Sequence, residues 1–346
     1  MHGKEKYVKR TGRKGVLVVA GALGCLAATA AEPALADRVL FSSNVDGDYE
    51  LYVLEQAGAA PVQLTNNSAE DTEAAWSPDG RRVAFTSSVK GNPDVHVINA
   101  DGTGDLRLTN SPGFDGSPQW SPDGGRLAFL SDRSGQMHIY VMKADGSEVR
   151  DITPQAVDAG APRWSPDGRW LAFSAADQRE SHLWLVRDDG SELRQVTRKD
   201  KAKDFAPLWS PDGKTLTFTS DREHNLDVYR VNIDGGNERR LTDHAALDVA
   251  YDGSPDGKAL LFLSSRDDGV RHDVYAMDAD GGHPRNLTRT ETEEEAPRWS
   301  PDGKSIVFLR LGAGGQFAAY RMHAAGSEPT RLVEWPAMQL QPSIAP

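Results

Sequence analysis

The tetrapeptide Ser-Pro-Asp-Gly begins at Ser77, Ser121, Ser165, Ser210, Ser254 and Ser300, with spacings of 44, 44, 45, 44 and 46 residues. So regular a recurrence means that the chain is assembled from copies of one supersecondary unit, each burying its apolar faces only against its neighbours. The preceding residue is Trp76, Trp120, Trp164, Trp209 and Trp299, with Gly253 in the remaining copy. Five of the eight tryptophans therefore hold one position of the unit.

The tetrapeptide has a mechanical reading. Ser first, Pro second with φ already set, and Gly fourth are the preferences of a type I turn followed by a residue free to take positive φ. Such a turn joins two antiparallel strands as a hairpin. Its flanks agree, since the runs after it, Arg82-Val83-Ala84-Phe85-Thr86 and Arg126-Leu127-Ala128-Phe129-Leu130, alternate with period two. A third strand follows, as in His138-Ile139-Tyr140-Val141-Met142, then a turn at Asp145-Gly146, Asp189-Gly190 or Asp234-Gly235. A short fourth strand ends at Leu108-Thr109, Val196-Thr197, Leu241-Thr242 or Leu287-Thr288.

Four short strands in about 44 residues is the period of a propeller blade, and no segment carries a sustained helical stripe. The 33 glycines and 20 prolines suit a turn-rich all-β chain and exclude a helical bundle. The second strand occurs seven times, starting at Val39-Leu40-Phe41, Val83, Leu127, Leu171, Leu216, Leu260 and Ile306, whereas the Ser-Pro-Asp-Gly turn occurs six times. The first unit thus lacks its opening strand. The C-terminal stretch Ala337–Ser343 fits a degenerate copy of that strand, with Leu340 at the Trp position. The expected fold is an all-β, seven-bladed β-propeller whose C-terminal strand completes the N-terminal blade and removes both open sheet edges. Six blades with a loose tail is the alternative.

These residues resemble a known family. Trp-Ser-Pro-Asp-Gly, then Leu-Ala-Phe-Leu-Ser-Asp-Arg (127–133), Ile-Tyr-Val-Met (139–142) and Ala-Asp-Gly (144–146), is similar to the WD40-like (PD40) repeat of TolB-like propellers. The resemblance covers residues 37–346. It lacks a counterpart of the N-terminal α/β domain that TolB carries besides its propeller. The resemblance implies a periplasmic scaffold that docks protein partners on a propeller face or at its channel mouth. The same repeat also occurs in regulatory propellers of prolyl-oligopeptidase-type enzymes and in some sugar lyases, so the fold alone does not assign a function.

Residues 1–36 stand apart. Lys4, Lys6, Lys9, Arg10, Arg13 and Lys14 precede an apolar run from Val16 to Ala31, which ends in Ala34-Leu35-Ala36 before Asp37. That is the layout of a secretory signal peptide, so the expected location is the periplasm, with secretion or a lipid anchor through Cys25 as alternatives. Cys25 is the one cysteine of the sequence, and cleavage after Ala36 leaves a chain without disulfides or thiol ligands. The leader takes six Lys/Arg and two Asp/Glu with it. What remains has 33 basic and 49 acidic residues, a net charge of −16 against −12 for the whole chain. Such a charge disfavours nucleic acid and favours cations or basic protein surfaces. The expected partners are proteins or peptides of the envelope, and a monomer with no membrane span after cleavage is expected.

Candidate sites follow from the repeat. Five or six positions before the Trp column stand Asp71, Asp115, Asp158, Asp204, Asp248 and Glu294, one carboxylate per repeat. Viewed down the propeller axis they form an acidic ring at a channel mouth. It would suit a cation such as Ca²⁺ or the amino end of a peptide, unless each carboxylate merely caps its own loop. Asp79, Asp123, Asp167, Asp212, Asp256 and Asp302 belong to the turn. The position opening the third strand reads Glu50, Asp94, His138, His182, Asp227 and Asp273, and suggests hydrogen bonds within blades. Asp46-Gly47-Asp48-Tyr49-Glu50 is too short for an EF-hand loop and reads as a hairpin turn. The expected function is a non-catalytic protein-binding scaffold that needs no cofactor. The alternative is a polysaccharide lyase or glycoside hydrolase type of propeller enzyme, which would gather a base and an electrophile at the channel mouth.

Overall fold

The computed structural model describes residues 38–346 apart from 90, 155–157, 178–179, 199–200, 327 and 336; the leader, with Cys25, lies outside the described residues. Seven four-stranded antiparallel sheets form the blades of a ring, as the repeat count predicts. Blade 2 shows the unit in full: Asp71–Trp76 innermost, then Arg82–Ser87, Asp94–Asn99 and the short outer strand Leu106–Arg107. Blades 3, 5, 6 and 7 repeat it with inner strands Asp115–Trp120, Asp204–Trp209, Asp248–Gly253 and Glu294–Trp299. Blade 4 departs. Its inner strand is reduced to Arg163–Trp164, and its middle hairpin grows to Trp170–Asp177 paired with Glu180–Arg187.

The hairpin turn does what its residues dictate. Gly80 N–H donates to the Ser77 carbonyl at 2.8 Å, and Gly80 takes a φ of 65° that a side chain would strain. Ser77 Oγ donates to Asp79 Oδ1 (2.6 Å) and accepts the Arg82 amide (2.9 Å), which closes the turn onto the second strand. The same contacts recur at Ser121, Ser165, Ser210, Ser254 and Ser300, and each serine hydroxyl holds the pKa of its turn aspartate below the usual value. This set of aspartates is structural.

Burial between blades follows the alternation of the second strand. Phe41, Phe85, Phe129, Phe173, Phe218, Phe262 and Phe308, one per blade, are the largest fully buried side chains. Apolar clusters then bridge neighbouring blades, as where Leu183 and Leu185 of blade 4 meet Leu216 and Phe218 of blade 5. Each fully buried phenylalanine is worth about 2–3 kcal/mol, so the seven interfaces are the main source of stability. Tryptophan indoles add directed contacts. Trp120, Trp164 and Trp209 donate Nε1–H to the carbonyls of Ala75, Gln119 and Arg163 in the preceding blade, at 3.2, 3.1 and 2.9 Å.

Blade 1 consists of Val39–Ser43, Glu50–Leu54 and Val62–Gln63, completed on its inner side by the C-terminal strand Gln339–Ile344. Closure is as expected, but its register is not. Ile344 pairs with Val39 as Trp76 pairs with Val83, whereas Leu340 lies opposite Ser42. Ile344, not Leu340, therefore occupies the Trp position. The register is set by Gln339, whose side chain accepts the Ala319 amide of blade 7 (2.8 Å), and by a bulge that absorbs one residue near Gln341. The segment 44–49 forms the loop of the first hairpin, with Tyr52 Oη donating to Asp46 (2.8 Å).

Candidate functional site

The carboxylate column sits at the first residue of the inner strands, inside the protein. Asp71, Asp115, Asp204, Asp248 and Glu294 are fully buried. Four are held by an arginine from the end of their own blade's second strand. Arg133, Arg222, Arg266 and Arg310 donate to Asp115, Asp204, Asp248 and Glu294 at 2.7–2.9 Å. Each guanidinium also stacks on the blade's aromatic pair, Arg222 lying 4.5 Å from the Tyr229 ring centroid. Blade 4 breaks the column. Ala159, bridged to Ala175, takes the position, and Asp158 stands one residue out of register and exposed, with a φ of 35°. In blade 1 the position is Gln339. These carboxylates are thus placed in separate blades, and among the described residues no three His, Cys, Asp or Glu side chains gather to hold a metal ion.

Asp71 is the member without an arginine, because Val89 stands where blades 3, 5 and 6 have Arg133, Arg222 and Arg266, and Ser87 stands where blade 7 has Arg310. Its neighbour is Glu50, and burial raises the pKa of both, that of Glu50 to about 7. Asn67 donates to Asp71 Oδ2 (2.8 Å) and its amide to Glu50 Oε1 (2.6 Å). Asp71 Oδ1 and Glu50 Oε2 remain buried without a hydrogen-bond partner. The other third-strand groups are paired within their blades: Asp94 with Arg107, His138 Nδ1 with Asp151 at 2.8 Å, Asp227 with Arg240 and Asp273 with Asn286. His182 lies 3.5 Å from Glu180.

The concave site is the central channel. A cavity of about 580 Å³ is lined by inner strands of blades 1, 2, 3, 4 and 7. Its wall is mostly small or uncharged, including Ala75, Ser117, Gln119, Ala161 and Ser343, its charged side chains are Glu73, Arg163 and Arg298, and the last residue of the sequence, Pro346, lines it as well. The lining has a repeating cause. Each full inner strand carries a bulge near its third residue, and Glu73, Ser117, Ala206, Ala296 and Gln341 there take φ values of 50–53°. Non-glycine residues in that region cost of order 1 kcal/mol each, and such strain concentrates at working surfaces.

The bulges on one side of the channel are linked through side chains. Gln341 Oε1 accepts the Glu73 amide (2.8 Å), and Glu73 Oε2 accepts the Ser117 amide (2.8 Å) and the Thr86 hydroxyl (2.7 Å). The carboxylate of Glu73 is thereby engaged in the scaffold. On the other side, Arg298 Nη1 donates to the Tyr251 carbonyl (3.0 Å), and the Arg163 guanidinium has no hydrogen-bond or ion-pair partner among the described residues. Burial, with Arg298 close by, lowers the pKa of Arg163 to about 10. Asp252 faces both arginines, but its two oxygens accept the Trp299 and Gly253 amides (2.9 and 3.0 Å), and burial raises its pKa.

These channel groups were not singled out in the sequence, although a signal exists. In the repeat, the residue directly before the Trp position is Ala75, Gln119, Arg163, Leu208, Asp252, Arg298 and, in blade 1, Ser343. Five of these seven line the cavity. Alternation along the strand turns the tryptophan toward the preceding blade and its predecessor toward the axis.

The family description TolB beta propeller domain (PD40) matches residues 6–104, 77–159 and 154–295. No curated protein matches the sequence. TolB from Acinetobacter baumannii is similar in structure at 23% identity and a TM-score of 0.59, over 78% of this chain and 67% of that one. Oligogalacturonate lyase from Vibrio parahaemolyticus aligns at 17% identity and a TM-score of 0.67, over 85% of both chains. A puromycin-hydrolyzing peptidase from Mycobacterium tuberculosis aligns at 18% identity and a TM-score of 0.68, and this chain spans about half of its length, 51%. Likenesses at these identities carry the fold and no activity.

Proposed function

From its membership of the TolB β-propeller family, to which the matched repeats assign it, we propose that the chain is a non-catalytic, protein-binding scaffold of the cell envelope, working in the periplasm and receiving a segment of its partner in the central channel. The observation that carries this reading is the channel wall. It offers a cavity of about 580 Å³, a size that encloses a compact ligand, behind small and amide side chains held on bulged strands. The leader at residues 1–36 supports the location.

A lyase or hydrolase would need a free general base beside the substrate. The carboxylates at the channel are engaged instead, Glu73 by Ser117 and Thr86, and Asp252 by two backbone amides. Ala161, exposed in the channel wall, provides the test. Photo-crosslinking in an envelope extract should capture a discrete partner with the parent chain and lose it with Ala161→Trp, which fills the channel. Equal capture by the plugged variant would refute the channel as the docking site.

A further inference from the structure

The two arginines of the channel are the feature that the scaffold reading leaves unexplained. The whole chain carries a net charge of −12, yet the axis of the ring holds Arg163 from blade 4 and Arg298 from blade 7 around one cavity. Arg163 is pushed toward its neutral form by burial and by the like charge of Arg298, an arrangement that costs free energy as long as no anion is present. Asp252 offsets part of it, but the lone pairs of its two oxygens are already directed at the Trp299 and Gly253 amides. Elsewhere in the ring Arg133, Arg222 and Arg266 each donate to a carboxylate and to a serine hydroxyl, as Arg133 does to Asp115 and Ser131. Arg163 has neither.

Resting on the reading of the channel as the docking site for a partner segment, we infer that Arg163 and Arg298 form a carboxylate seat that takes the free C-terminal end of a partner chain. A guanidinium presents parallel N–H donors that match a carboxylate in a fork, and charge-assisted bonds of this kind are about twice as strong as neutral ones. The source is a chain end because the cavity is much larger than the anion. The apolar and amide wall of Ala75, Ala161, Pro342 and Gln119 lies beside the seat and suits the residues leading up to the terminus.

The test uses arginine side-chain NMR of the full chain, titrated with acetyl-tetraalanine as free acid, with its C-terminal amide and with sodium acetate. The free acid should shift the Arg163 Nε–Hε resonance saturably, with the amide and acetate each at least tenfold weaker. Arg163→Gln and Arg298→Gln should each weaken the free acid by about ten- to hundredfold. Arg163→Lys, which keeps the charge and loses the fork, should weaken it severalfold and guards against misfolding of the glutamine variants. Amide binding equal to acid binding, or unchanged binding by both glutamine variants, would overturn the seat. Acetate binding as tightly as the peptide would overturn the chain end as its source. Should acid and amide bind alike while Ala161→Trp abolishes both, the channel reading stands and the carboxylate seat falls.

Discussion

Ile344 lies opposite Val39 in the first blade, in the register that Trp76 takes opposite Val83 in the next. The last strand of the chain is therefore the innermost strand of its first blade, and its removal leaves Val39–Ser43 as an open edge facing the channel. Closure is reinforced on both sides. The Ala345 amide donates to the Arg38 carbonyl (2.9 Å), and Gln339 Oε1 accepts from Ala319 in blade 7 (2.8 Å). Deleting residues 337–346 removes the buried Ala337, Ile344 and Ala345 and exposes the apolar surface they cover, a loss of about 5 kcal/mol. The melting temperature should fall by about 10 °C in a calorimetric scan. A truncated chain that melts with its parent would contradict closure by this strand.

The tryptophan column offers an internal comparison. Trp209 donates its indole N–H to the Arg163 carbonyl of the preceding blade, whereas the Nε1 of Trp299 is buried without an acceptor. Both substitutions to phenylalanine lose similar apolar surface, and only Trp209→Phe loses a hydrogen bond. Trp209→Phe should cost about 1 kcal/mol more than Trp299→Phe in urea unfolding. Equal costs would mean that the inter-blade bond contributes nothing.

Arg133 and Asp115 stand for the four carboxylate and arginine pairs. Asp115 is fully buried, so Arg133→Met leaves an uncompensated charge and should cost about 3 kcal/mol. Adding Asp115→Asn removes that charge and should restore part of the loss, giving a strongly non-additive double-mutant cycle. Additive costs would show that the pair is not coupled.

What the sequence discloses and what it hides divide along a physical line. The blades were legible because Ser77-Pro78-Asp79-Gly80 and its copies are local devices, whose contacts lie within five residues and need no knowledge of the rest of the fold. The register of the last strand was not, since Gln339 is positioned by Ala319 of another blade, and the strand has no tryptophan or Ser-Pro-Asp-Gly turn to mark its place in the repeat. The acidic column was visible as a period, but its burial was not, because it depends on arginines that arrive from a different strand. Asp158 was read into that column although Ala159 holds the position, a one-residue slip that periodicity tolerates and strand pairing does not. Arg163 and Arg298 escaped notice because the column before the tryptophans changes residue type in every blade.

Glu50 and Asp71 give the protein a pH dependence of defined sign. Burial raises the pKa of Glu50 from 4.5 to about 7, so between these values the folded chain holds a proton that the unfolded chain has released. Stability contributed by this group is therefore full below about pH 4.5, falls as the pH rises toward 7, and is lost above it. Glu50→Gln retains an acceptor for the Asn67 amide and turns an N–H₂ toward Asp71, whose Oδ1 lacks a partner in the parent. The variant should match the parent near pH 4.5 and exceed it by on the order of 2 kcal/mol at pH 8, measured as the difference between urea unfolding curves of the two proteins. The difference should open across the interval from pH 5 to 7.5. A constant difference across that interval would mean that Glu50 does not hold its proton in the fold over that range.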